Sequence, residues 1–435
     1  MTFLEKAMKI KYFAFVLGSM LLLSISAFAA TREELARDAA SDNPVTAAEA
    51  VKALRTMGKD GLESLLVKYA AEIKQFGETG NATDSWKRIA AAIDTVAMQR
   101  DAYASNLYWY TSLEQARAEA KLTGKPILSL RLLGNLNEEF SCANSRLFRS
   151  ILYSNAEIAK YLSENYVLHW KSVRPAPKVT IDFGDGRKIE RTLTGNSIHY
   201  VLDANGVIID ALPGLYSPQA FTKFLTDARA ANDMPVQPRV TRKGQYAAFR
   251  KKTFDSIANE RDLNVRAAKI TLIEPKAPAT GVPTATEAAP RAIAKMIVTS
   301  EISILDGISD DFSKYRAQMD LGDWRKLAAL HSPDAKIDVN GLAFIKRQTK
   351  NTVTGEQFAG LVKNIEQFIA LDTTMNDYMF RTRIYGILSE NSNDDVEKIN
   401  ERIYAEIFLT PRSDEWLGLY SPDVYTALDG NGIIR

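Results

Sequence analysis

The sequence predicts an α/β layer domain in mid-chain, with a helical module before it and a mainly helical domain after it. Three observations carry that expectation. Residues 31–105 place apolar side chains at three- and four-residue spacings, the period of a helix with one buried face. Between residues 112 and 232 the period changes, and short apolar runs alternate with amphipathic stretches, as in a layered α/β unit. Residues 274–290, EPKAPATGVPTATEAAP, are rich in Pro, Ala and Thr and offer too little apolar area to order themselves, which marks a linker.

The elements follow in order. In residues 1–29, Lys6, Lys9 and Lys11 precede an apolar run from Tyr12 to Phe28, and Ala27-Phe28-Ala29 is a small-x-small pattern. This reads as a secretory signal peptide cut after Ala29; an uncleaved anchor is the other reading. No cysteine stands at the cut, which argues against a lipoprotein. No later run is long and apolar enough to cross a bilayer, so the processed protein is expected in the periplasm or outside the cell, without a stable membrane span.

Residues 30–105 are expected to form two or three helices, with Asp42 or Asn43 as a cap and Pro44 in a first turn. Residues 106–232 form the α/β unit. SLEQARAEAKLTGKP is a helix stopped at Gly124, and ILSLRLL is a strand. FSCANSRLFRSILYS is helical, and Ser154 caps the next helix with Glu157 in capping-box position. YVLHW is a strand, and SIHYVLDANGVIIDAL is two strands joined at Asp203-Ala204-Asn205-Gly206, where Asn and Gly tolerate positive φ. The insertion 171–196 holds a small hairpin around FGDGRK, and Ser217-Pro218 opens a closing helix. Residues 233–273 are a polar helical extension. Within 291–435, residues 292–319 and two later runs are helical, and KIDVNGLAFIKR is a hairpin candidate around Asn340-Gly341.

Composition narrows the function classes. Apolar residues make up 46% of 435, enough for sizeable cores, and net charge is +2 without a long basic block, so no nucleic-acid partner is expected. Cys142 is the single cysteine, so an exported chain of this kind is held by its cores and has no internal disulfide.

The block 109–229 resembles the thioredoxin-like superfamily, in the branch whose members begin with a helix ending in GKP, here WYTSLEQARAEAKLTGKPILSLRLL. Where that branch carries Cys-x-x-Cys at a helix start, this chain has Cys142-Ala143-Asn144-Ser145, and a strand like ENYVLHW follows. The family's cis-proline position falls on Ser197 in GNSIHYVLDANG. The resemblance implies a thioredoxin-like three-layer domain that has lost its second thiol and its proline. The stretches DTTMNDYMF, INERIYAEIFLTP and SDEWLGLYSPDVYTAL resemble a module that recurs beside such domains in exported bacterial proteins; it transfers no mechanism.

Cys142, Ser145 and Ser197 are therefore the candidate catalytic residues. A thiol at a helix start is favoured as thiolate and can form a mixed disulfide, but Ser145 cannot resolve it. The alternative is that Cys142 is a small buried group. His169 and His199 fall on separate strands that a thioredoxin-like sheet brings near each other, yet neither has a local metal partner, and His331 reads as a loop residue. No metal site or cofactor is expected. Hydrolase motifs are absent, and FGDGRK lacks a phosphate loop's spacing. Glu301, Asp306, Asp310 and Asp311 read as a solvated run, and Asp372, Asn376 and Asp377, on one helix face, as surface or capping groups, with a binding role as the other reading. Tyr108, Trp109 and Tyr110, and the tail residues Trp416, Tyr420 and Tyr425, suit a seam between domains. Two functions follow: a non-catalytic scaffold or interaction module with a protein partner in the cell envelope, or a monothiol protein-disulfide oxidoreductase acting through Cys142.

Overall fold

The computed structural model describes residues 31–192, 195–270, 321–349, 353–390, 395–408, 410–417 and 426–433. The signal peptide, the 274–290 linker, the 292–319 helix, the run Glu301–Asp311, Tyr420 and Tyr425 lie outside the described residues.

The first module divides more finely than expected, into five helices: α1 (Arg32–Asp38), α2 (Pro44–Thr56), α3 (Lys59–Lys68), α4 (Ala70–Thr79) and α5 (Asp84–Ala97). Three of the breaks have a local cause. Asn43, not Asp42, caps α2 by accepting from the Val45 and Thr46 amides, and Thr83 caps α5 through the Trp86 amide. Gly58 and Gly80, both at positive φ, separate the elements around α3 and α4. The module closes its own core around Leu54, Leu65, Trp86 and Ile93, with Phe76 stacked on Trp86 at 4.2 Å.

Next come α6 (Leu113–Thr123), capped by Ser112 and ended by Gly124, and β1 (Ile127–Leu133). The short α7 (Ala143–Leu147) runs into a π-turn at Phe148–Leu152, then α8 (Ala156–Asn165) leads to β2 (Val167–Arg174). The cap of α8 is Asn155, one residue later than expected. Ser154 instead donates back to the Ser150 carbonyl at 2.7 Å, because the helical path through the π-turn continues that far. The hairpin β3 (Lys178–Asp182) and β4 (Lys188–Thr192) turns at FGDGR as anticipated, and β5 (Ser197–Leu202) and β6 (Ile208–Pro213) follow.

The main sheet runs β2-β1-β5-β6, with β1 parallel to β2 and antiparallel to β5, and β5 antiparallel to β6. Helices cover both faces, which gives a three-layer α/β architecture. The face carrying Leu130 and His199 packs on Phe148, Tyr153 and Phe221, the last from α9 (Pro218–Asp233). Ser129 pairs with His169 and Tyr200, whereas Leu130 pairs with Trp170 and His199. His169 and His199 therefore point to opposite faces of the sheet. The expectation that they meet is corrected: adjacent β1 residues alternate in direction.

Behind the sheet lies the long helix α10 (Arg242–Ala268), whose Arg250 donates to the Ile208 and Ile209 carbonyls. The C-terminal part is helical: α11 (Leu321–Leu330), α12 (Val339–Gln348), α13 (Gly355–Met375), α14 (Thr382–Glu390) and α15 (Val396–Arg402). Residues 339–348 are helix, not hairpin. Asp338 accepts from the Gly341 amide at 2.9 Å, a helix cap. Gly341 itself serves close packing rather than a turn, since a Cβ there would stand 2.7 Å from Ile337 Cγ2 and 3.1 Å from the Ser150 carbonyl. These helices share one apolar core with the sheet, whereas the N-terminal core is separate.

Candidate functional site

After β1 the chain turns at Gly134 and returns, so that the Cys142 amide donates to the Leu133 carbonyl at 3.0 Å. This places Cys142 as first residue before α7, as the sequence suggested. The thiol is nonetheless fully buried, free of any disulfide, and packed in the main core. Ser145 does not face it as a partner. Its Oγ lies 2.8 Å from the Cys142 carbonyl oxygen and 2.7 Å from Ser141 Oγ, so the hydroxyl is consumed by its own helix turn.

Ser197 opens β5 and is also fully buried, and the bond before it is trans. A residue that the sequence reading passed over joins the two places: Asn144 Nδ2 donates to Ser197 Oγ at 3.0 Å and to the Gly195 carbonyl. The three candidate residues are thus brought to one locality, and the helix start is tied to the strand start by an amide. The signal was present as a small polar residue inside the Cys-x-x-Ser spacing, but an Asn in that slot has many other uses.

The C-terminal part seals this locality. A π-turn at Ile403–Ile407 extends α15, and its Tyr404 hydroxyl donates to the Asn196 carbonyl at 3.2 Å. Asn196 Nδ2 donates to Thr410 Oγ1, and Arg174 donates to the carbonyls of Thr410 and Asp414. Burial holds the phenols of Tyr153 and Tyr404 well above their usual range, and a charge on the nearby Cys142 would raise both further. The thiol therefore sits, without exposed surface, in a core that holds the aromatic side chains of Tyr153 and Tyr404.

Two further polar clusters fix the sheet. On one face Arg131, 1% exposed at its side chain, donates to Ser129 Oγ at 2.6 Å and pairs with Glu397 at 2.7 Å. Glu397 also takes Lys171, and these cations hold its carboxyl below the usual range against the opposing effect of burial. Ser129 Oγ lies 2.8 Å from His169 Nδ1, and burial, with Arg131 and Lys171 near, lowers the His169 pKa to about 3. A neutral imidazole bonded to a serine resembles half of a hydrolytic pair, but both residues are wholly buried. His199, bonded to the Tyr153 hydroxyl, is likewise lowered to about 3 by burial.

The other cluster is a corner after β6. Asp372 accepts from the Leu215 amide, Asn376 donates to the Leu215 carbonyl, and Asp377 accepts from the Tyr216 hydroxyl. Expected as surface or capping groups, Asp372 and Asn376 are buried, because this helix face docks on backbone rather than on water. Gly214 has φ 77°, and a Cβ on it would lie 2.4 Å from Asn376 Nδ2. Beside this corner Arg381 pairs with Asp210 at 2.8 Å, and Tyr385 donates to the same carboxylate at 2.7 Å. At residues 108–110 the aromatic side chains do meet the first module and the sheet: Tyr108 donates to the Arg55 carbonyl, Trp109 donates to Gln99, and Tyr110 bridges to β2; of the tail group only Trp416 lies among the described residues. Among the described residues no group of His, Cys, Asp and Glu is arranged to hold a metal, and no helix is long and apolar enough to cross a membrane.

The chain matches no protein-family model, and no curated protein or solved structure is found to be similar to it.

Proposed function

We propose that the sheet unit is a thioredoxin-like domain kept as a scaffold in an exported protein, and that it holds helical modules and a protein partner in the cell envelope rather than turning over disulfides. The order β2-β1-β5-β6, with β1 parallel to β2 and antiparallel to β5, and Cys142 at the start of the helix that follows β1 support the thioredoxin-like part of this reading. One observation carries the non-catalytic part: Cys142 has no exposed surface, and Ser145 spends its hydroxyl on the Cys142 carbonyl. Attack on a disulfide needs an accessible thiolate and, for turnover, a second thiol.

The experiment is alkylation of Cys142 across a pH series, together with reduction of a protein disulfide with dithiothreitol as donor. Slow labelling until denaturant is added, and no rate above the donor's background, are the expected results. Fast labelling with a depressed thiol pKa, and a rate abolished in Cys142→Ala, would overturn the scaffold reading in favour of a monothiol oxidoreductase. Cys142→Ala is preferable to Cys142→Ser, since a hydroxyl left unpaired in this core costs about 1–3 kcal/mol. Export is tested separately: the mature chain should begin at or near Ala30, and a mature protein retaining Met1 would refute it.

A further inference from the structure

We infer that the cleft between α9, α10 and α13 is a binding site for a short aliphatic diamine. The cleft encloses about 550 Å³, the size of a small-molecule site. Phe224, Phe249 and Tyr378 give it apolar and aromatic walls. At its inner end stands Asp377, whose Oδ1 is held by Tyr216 at 3.0 Å and by Arg381 at 3.3 Å. Its orientation is thus fixed by two donors, both on Oδ1, and among the described residues none bonds Oδ2, which is left to accept from a ligand.

Charge selects the ligand. Of the cations lining the cleft, Lys223 is taken by Asp227, and Arg381 by Asp210 together with Asp377. Among the described residues Lys252 stands with two carboxylates, Glu260 and Asp334, of which Glu260 also lies 3.8 Å from His331 Nε2 and accepts from the Tyr378 hydroxyl at 3.5 Å. The excess is negative, with acidic groups at the inner end and at the rim and hydrocarbon between them. An alkyl chain with an ammonium at each end complements that arrangement: one head meets Asp377 Oδ2, the methylenes lie on the aromatic walls, and the other head meets the rim. Aromatic faces add to the attraction for a cation. A dicarboxylate of equal length would meet Asp377 with like charge.

The same ammonium-on-a-chain chemistry is carried by a lysine side chain, so the test separates the two sources. The full-length protein is titrated by calorimetry with 1,5-diaminopentane, with glutarate, and with N-acetyl-lysine methylamide. The expected result is one-to-one binding of the diamine, no binding of glutarate, and weaker binding of the lysine derivative. Asp377→Asn should weaken the diamine at least tenfold. Ser256 is an exposed α10 residue at the cleft, so Ser256→Trp should close the mouth and abolish binding without touching the core; it decides the matter if Asp377→Asn fails to fold. Absence of diamine binding, binding unchanged in Ser256→Trp, or equal binding of glutarate would overturn the site. Tighter binding of the lysine derivative would overturn the free diamine as its ligand.

Discussion

The N-terminal module buries Leu54, Leu65, Trp86 and Ile93 among its own helices, and Arg55 fastens it by donating to the carbonyls of Val96 and Trp109. The C-terminal helices close no such private core among the described residues. Ile369, Ile384, Ile399 and Ile403 belong to the same apolar cluster as Leu130, Ile198 and Ile209 of the sheet, and the boundary is crossed by the buried pair Asp210–Arg381 and by buried Arg131 reaching the partly exposed Glu397. Sequence distance is a poor guide to this. The module nearest in sequence is attached at a seam, and the most distant one completes the core.

The largest expected effect tests that contrast directly. A chain lacking residues 321–435 should lose cooperative unfolding of the sheet, whereas one lacking residues 30–105 should keep it, as read by urea denaturation followed by circular dichroism. The reverse pattern would sink the comparison.

Next in size is the buried pair. Arg381→Met leaves Asp210 uncompensated at 1% side-chain exposure, and such a change costs about 3–5 kcal/mol. Adding Asp210→Asn should recover part of the loss. Equal stability of single and double variants would show that the pair does not hold the boundary.

Acidity should separate the two regions by sign. His169 and His199 have folded pKa values near 3, so the unfolded chain takes up protons first as pH falls below its own value of about 6.5. Their contribution is complete above that pH and is lost toward pH 3, on the order of 2 kcal/mol per imidazole by pH 5. In the N-terminal module burial, with Asp101 close by, pushes Asp94 up to about 7. Its contribution is complete below the unfolded value of about 3.9 and is lost as pH rises from there to about 7. Amide exchange at pH 5 and pH 7.5 should show protection rising with pH in β5 and falling with pH in α5. Asp94→Asn should remove the second trend alone.

Smaller effects remain. Gly214→Ala combines a positive φ with the contact on Asn376 and should cost about 1–3 kcal/mol, measured by the shift in urea midpoint. Arg55→Met should cost least, about 1 kcal/mol, and should leave amide protection in β5 unchanged. Loss of sheet protection in that variant would show that the seam is a shared core after all.

Much of the sheet was legible because its signals are local. ILSLRLL and SIHYVLDANGVIIDAL are short apolar runs bounded by turn chemistry, and FGDGRK carries its own hairpin. What failed was non-local or ambiguous at short range. Asn340-Gly341 looks like a turn until Asp338 is seen to cap a helix and Gly341 to meet Ser150. Asp372, Asn376 and Asp377 are polar on one helix face, which reads as solvent exposure; nothing in that face reveals that its partner is the backbone at Leu215. The locality of Cys142, Ser145 and Ser197 could be named from a resemblance, but not its burial, because Tyr404 lies more than two hundred positions away in the chain.

Arg131 and its partner Glu397 are 266 residues apart. During synthesis, β1 emerges with a guanidinium destined for the interior long before the carboxylate that neutralises it exists. Contacts of such span form slowly, because the intervening loop must close before they are gained. An incomplete chain ending short of α15 would leave that cation buried without its carboxylate, or the sheet face open, and exposed apolar surface of this kind invites aggregation. Protein made from a message truncated near its end should therefore accumulate as insoluble material rather than as a shortened soluble form.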